Sequence, residues 1–149
     1  MKQFEDYFAE LQTDMVSISL EYVNNKVDNI YIYCSYEPEA YYFNVFYRIN
    51  GQLVHKHELN NISKEEYDIS IERQKALMKI GREDLERIHD ICKEYKREMP
   101  AEMKLYYDVK LNKLQGKYQY DLVYSQTEDL LPNDIFNSWF EEIRANQKI

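Results

Sequence analysis

Residues 27–59 read VDNIYIYCSYEPEAYYFNVFYRINGQLVHKHEL, and their alternation decides the fold. Asn50-Gly51 lies between two alternating apolar runs. Both residues tolerate positive φ, and the resulting turn matches the twist of the flanking strands. Centring the turn there pairs Ile49 with Gln52 and Tyr47 with Val54. A second turn falls on Glu37-Pro38-Glu39-Ala40, so three strands form a meander. Side chains alternate between faces along a strand. One face then carries Ile30, Ile32, Cys34, Tyr41, Phe43, Val45, Tyr47, Ile49 and Val54, and is expected to be buried. The other carries Tyr31, Tyr33, Ser35, Tyr42, Asn44, Phe46, Arg48, Leu53, His55 and His57. It reads as an aromatic but wet face suited to a partner, or alternatively as a second core layer covered by a helix.

Outward from the meander, Phe4, Tyr7, Phe8, Leu11, Met15, Ile18 and Tyr22 recur every three or four residues. This predicts an amphipathic helix over about 3–23, ended by Asn24-Asn25. Ser63-Lys64-Glu65-Glu66 has the spacing of a capping box, so a helical turn is expected there. Ser70 is the expected N-cap of a long helix with the stripe Leu77, Ile80, Leu85, Ile88, Cys92, Tyr95 and Met99. Pro100 is its expected stop, and Gly81 a place for a kink. Met103–Val109 and Lys117–Tyr124 read as two further strands. A turn on Asn112-Lys113 would pair Lys104 with Asp121 and Asp108 with Lys117, avoiding like charges across the hairpin. Pro132-Asn133-Asp134 opens a last helix with Ile135, Phe136, Trp139, Phe140 and Ile143 on its apolar side. The expected fold is α+β, a mainly antiparallel five-stranded sheet with helices in the order αβββαββα, as a single domain over 1–149.

Composition narrows the functional classes. Hydrophobic residues make up 44% and charged residues 31%, with three glycines and three prolines, as in an ordered globular chain rather than a linker. Twenty-seven acidic against nineteen basic residues give a formal charge of −8. That suits a basic protein partner and argues against direct nucleic-acid binding or an anionic membrane. The start, MKQFEDYF, has no apolar core of an export signal, so a cytoplasmic location is expected, with Cys34 and Cys92 as free buried thiols.

The catalytic motifs are sparse. No Gly-x-Ser-x-Gly or glycine-rich phosphate loop is present, and no cofactor is expected. His55 and His57 share a strand face at a spacing that can present two imidazoles, which keeps a small hydrolase open as an alternative, alongside a generic adaptor. Glu37 and Glu39 flank a turn and read as solvated charge. So do Glu65, Glu66, Asp68 and Glu72, and Glu83, Asp84 and Glu86 further along, with an acidic docking surface as the other reading.

Several segments together resemble the YezG-like antitoxin (immunity) family. They are Ile30-Tyr31-Ile32-Tyr33, Phe46-Tyr47-Arg48-Ile49-Asn50-Gly51, His57-Glu58-Leu59-Asn60, Glu72-Arg73-Gln74, Tyr106-Tyr107-Asp108-Val109, Tyr118-Gln119-Tyr120-Asp121 and Trp139-Phe140. The resemblance implies a small acidic cytoplasmic protein that neutralises the toxin domain, often a nuclease, of a secreted polymorphic toxin. It implies binding and no catalysis. The surface expected to meet the toxin combines tyrosines with carboxylates: Tyr31, Tyr33, Tyr42, Phe46, His55, His57, Glu37 and Asp121.

Overall fold

The computed structural model describes residues 2–37, 40–127 and 129–146; Pro38 and Glu39 of the first expected turn lie outside them. The chain is an α+β protein. Its elements are α1 (Phe4–Tyr22), β1 (Asn29–Tyr36), β2 (Tyr41–Ile49), β3 (Gln52–His55), α2 (Leu59–Ile62), α3 (Ile71–Glu94), β4 (Glu102–Asp108), β5 (Lys113–Gln119) and α4 (Pro132–Ala145). The strands form one antiparallel sheet in the order β3-β2-β1-β4-β5.

The Asn-Gly turn sets the meander as its chemistry requires. Asn50 and Gly51 both have positive φ, and Ile49 faces Gln52 while Tyr47 faces Val54. Asn24 and Asn25, at φ 53° and 62°, end α1 in the left-handed region that asparagine tolerates. Ser70 caps α3, its hydroxyl accepting from the Arg73 N–H.

Four local expectations are corrected. Residues 63–66 are not helical: the short helix comes earlier, as α2, and Ser63 is its C-cap. The long helix stops at Glu94, before Pro100, where Lys96 turns left-handed and the Arg97 N–H reaches back to the Cys92 carbonyl. Ile80 is 40% exposed and lies off the buried stripe. Finally, α3 runs unbroken through Gly81, which lies against the sheet.

The β4–β5 register also differs from expectation. Asp108 faces Lys113, Lys104 faces Lys117 and Leu105 faces Gly116. The local turn chemistry overrides the charge pairing. Asp108 Oδ1 accepts from the Leu111 N–H, and Asn112 adopts φ 50° with its Oδ1 taking the Tyr107 hydroxyl. That turn closes the hairpin four residues sooner than the charges would. Exposed ion pairs contribute under about 1 kcal/mol, too little to move it. Asp121 therefore lies past the end of β5, exposed.

The first face of the sheet is buried as expected. Ile30, Ile32, Phe43, Val45 and Leu105, each 0% exposed, pack with Met15 and Val16 of α1 and Leu77, Leu85 and Ile88 of α3. Cys34 and Cys92 are free thiols in this layer. Tyr47 is fully buried and stays satisfied by donating to the Ser19 carbonyl at 2.8 Å.

Asp84 is not the solvated charge its sequence context implies. It is 1% exposed, on the inner side of α3, and no hydrogen-bond donor reaches either oxygen. The nearest cation, Arg87, stands 3.5 Å away without hydrogen-bond geometry. Burial, and then the neighbouring Asp14 carboxyl, push Asp84 well above the usual carboxylate range. Protonated, it becomes the donor itself, with the Asp14 carboxylate beside it as acceptor.

Candidate functional site

The second sheet face is a second core, which corrects the expectation of a wet surface. α4 lies across it, seating Phe136, Trp139 and Phe140 on Tyr31, Tyr33 and Phe46. Phe46 is enclosed by Phe136, Trp139 and Phe140, with ring centroids 5.0–5.6 Å away in edge-on geometry. Tyr33 donates to Glu102 Oε2 at 2.7 Å and is 0% exposed. Trp139, 7% exposed, is a core residue.

The residues expected to meet a partner are therefore dispersed. Tyr31, Tyr33 and Phe46 lie under α4. Tyr42 is half-buried and donates to Asn133 Oδ1. His55 is half-buried with its ring stacked on Phe140 at 3.8 Å, while His57 is exposed, 5.5 Å from His55. Burial lowers the pKa of His55. No group of three His, Cys, Asp or Glu side chains placed to hold a metal occurs among the described residues.

Glu37 is corrected most sharply. It is 2% exposed and takes the backbone N–H groups of Val123, Tyr124 and Ser125, together with the Ser125 hydroxyl. Burial alone would raise its carboxyl; these donors outweigh burial and hold it below the ordinary range. Glu37 is thus a clamp on the 123–125 segment. A second buried polar pair lies at the end of β3, where Lys56 donates to Asn44 Oδ1 at 2.7 Å and burial lowers its pKa to about 8.

α4 covers only the β1–β3 side of the second face. On the β4–β5 side the sheet stays open, and a cleft of about 450 Å³ lies between it and α4. Alternation from Tyr33 puts Lys104 and Tyr106 on this face, and the observed register adds Lys117 and Gln115 of β5. Arg48 closes the end toward β2, and Trp139, Glu142 and Asn146 of α4 form the wall. Arg48 lies over Tyr31 at 5.7 Å, and Lys104 over Trp139 at 5.6 Å. Tyr106 is held by Asn29 Nδ2 at 2.9 Å and tilts against Tyr31. Burial raises the Tyr31 hydroxyl to about 12 despite Arg48 beside it.

This cleft escapes a reading of the sequence because five elements contribute to it. The one signal was Lys104 and Tyr106 alternating on a face where Lys117 stands directly opposite Lys104 only in the true register. The opposite character appears on α1, whose Glu5, Asp6, Glu10, Asp14 and Glu21 are all exposed, with no Lys or Arg along the helix.

Fold and surface together define an acidic α+β protein with two packed sheet faces and a cationic cleft. No protein-family model matches the chain, and comparison with curated proteins finds no match. Among the described residues no helix is long and apolar enough to cross a membrane.

Proposed function

We propose that this protein acts by binding, as an immunity-type antitoxin that occludes a basic toxin domain, a nuclease being the natural case. A nuclease must carry positive charge where it holds phosphates, so an acidic surface laid over that groove excludes the substrate without chemistry. The observation that carries the reading is α1: five exposed carboxylates on one helix without a basic residue, Glu5 and Glu10 of them ion-paired with Arg97 and Lys2, in a chain of net charge −8. The resemblance of the strand and helix segments to the YezG-like family supports the same reading. With Tyr31, Tyr33 and Phe46 buried under α4, the docking surface moves to the exposed acidic face of α1, with His57 and Asp121 elsewhere on the surface.

Steering by carboxylates acts mainly on association. Reversing Glu10 and Glu21 to Lys is expected to slow association with a cognate basic toxin domain by about tenfold, and raised salt to do the same to the parent. Co-purification followed by stopped-flow binding tests it. Absence of a complex at micromolar concentrations, or an association rate indifferent to both charge and salt, rejects it.

A further inference from the structure

We propose that the cleft between α4 and the β4–β5 hairpin is a binding site for a nucleoside monophosphate, a ligand that joins a phosphate to a flat ring. The charge distribution is the first reason. In a chain with 27 carboxylates against 19 cationic side chains, three cations, Arg48, Lys104 and Lys117, converge on one concavity. Neither Arg48 nor Lys117 has a carboxylate within ion-pair distance among the described residues, and Lys104 reaches Glu102 only at 3.9 Å. The Arg48 Nε–H is buried with no acceptor. Lys104 and its cross-strand neighbour Lys117 supply adjacent ammonium groups of the kind that phosphate oxygens take, with the Arg48 guanidinium at another end of the same cleft.

The walls give the rest of the ligand. Tyr106 and the edge of Trp139 offer aromatic surface for a planar ring, and Gln115 offers an amide able both to donate to and accept from a base edge. Glu142 is the one carboxylate among the lining residues, and it suits sugar hydroxyls rather than phosphate. A volume of about 450 Å³ falls within the range of small-molecule sites. The protein's overall charge decides between one nucleotide and a strand. A polyanion feels the whole field of a −8 molecule, whereas a mononucleotide bound in the cleft feels chiefly the local cations.

Trp139 is the only tryptophan in the chain, so its fluorescence reports on the cleft directly. The full-length protein is titrated separately with AMP, GMP, CMP and UMP, with ribose 5-phosphate, with inorganic phosphate and with an oligouridylate. At least one mononucleotide is expected to change the emission saturably at sub-millimolar concentration. Ribose 5-phosphate and phosphate are expected to bind at least about tenfold more weakly, having lost the ring. Lys117→Glu, on an exposed strand position, is expected to weaken the nucleotide at least about tenfold without altering thermal unfolding. Lys75→Glu, an equal charge change on the exposed side of α3, is expected to leave affinity unchanged. Three results overturn the proposal: no saturable change with any mononucleotide, equal affinity for phosphate alone, or tighter binding of the oligouridylate than of UMP. None of these titrations involves a protein partner, so their failure leaves the antitoxin reading standing.

Discussion

Phe43 of β2 occupies the space that a side chain at position 81 would need: a Cβ placed on Gly81 of α3 would lie 2.2 Å from Phe43 Cδ1. No real Cβ sits that close to a ring carbon, so glycine lets the long helix approach the sheet with the ring filling the contact. Helix propensity alone favours alanine over glycine by about 1 kcal/mol. Overpacking costs about 1–3 kcal/mol and opposes it. Gly81→Ala is expected to destabilise the protein by about 1–2 kcal/mol, and Phe43→Ala by about 3–5 kcal/mol through lost burial and a cavity. In the double variant the alanine at 81 no longer collides, so the two losses are expected to be markedly less than additive. Urea melts of the four proteins give this cycle.

Asp84 predicts an unusual pH response. Its folded pKa is raised, so the unfolded chain releases that proton first. Stability from this residue is full below the ordinary value of 3.8 and falls as pH rises toward the folded value. Asp84→Asn keeps the shape of the protonated acid and cannot ionise. It is expected to be more stable than the parent by about 1–3 kcal/mol at neutral pH, and to remove this downward slope. Denaturant midpoints at a series of pH values measure both.

Lys56 works in the opposite sense. Burial lowers its pKa to about 8 against an ordinary 10.5, so the folded state prefers the neutral amine. Between those values the unfolded chain binds the extra proton, and stability rises with pH, by at most about 1.4 kcal/mol per pH unit. Lys56→Met is expected to abolish that rise. A parent and variant with parallel stability curves from pH 8 upward would exclude a buried, titrating lysine.

Glu37 anchors a segment otherwise without helix or strand. Glu37→Gln keeps one acceptor oxygen but loses the charge that four donors share. The expected cost is about 2–3 kcal/mol. Cleavage by protease within residues 120–131 should rise before the rest of the fold is attacked. Because the folded pKa is depressed, this stabilisation is present above the ordinary 4.5 and is lost as pH falls through the lower folded value.

The parts legible from the sequence were those governed by neighbouring residues. Asn50-Gly51 set a register, Ser70 capped a helix, and the apolar stripe ending in Phe140 and Ile143 marked α4. What α4 packs against was not legible, because Tyr31, Tyr33 and Phe46 alternate identically whether water or a helix covers them. Glu37 looked solvated because its partners lie about ninety residues away in backbone amides, which carry no side-chain signal. The second hairpin was misregistered by weighting surface charges over the left-handed Asn112. That error also separated Lys104 from Lys117 and hid the cleft.

The position of β1 in the middle of the sheet has a consequence for the nascent chain. β1 pairs with β2, the next strand in the sequence, on one side at once, but on the other side only with β4. That partner is translated after the whole of α3. Throughout that interval β1 offers a free row of amides and carbonyls, flanked by exposed Tyr31 and Tyr33, to any other extended chain nearby. The charge of this protein therefore serves it before it is folded: mutual repulsion between half-made copies guards an edge that the finished molecule no longer has.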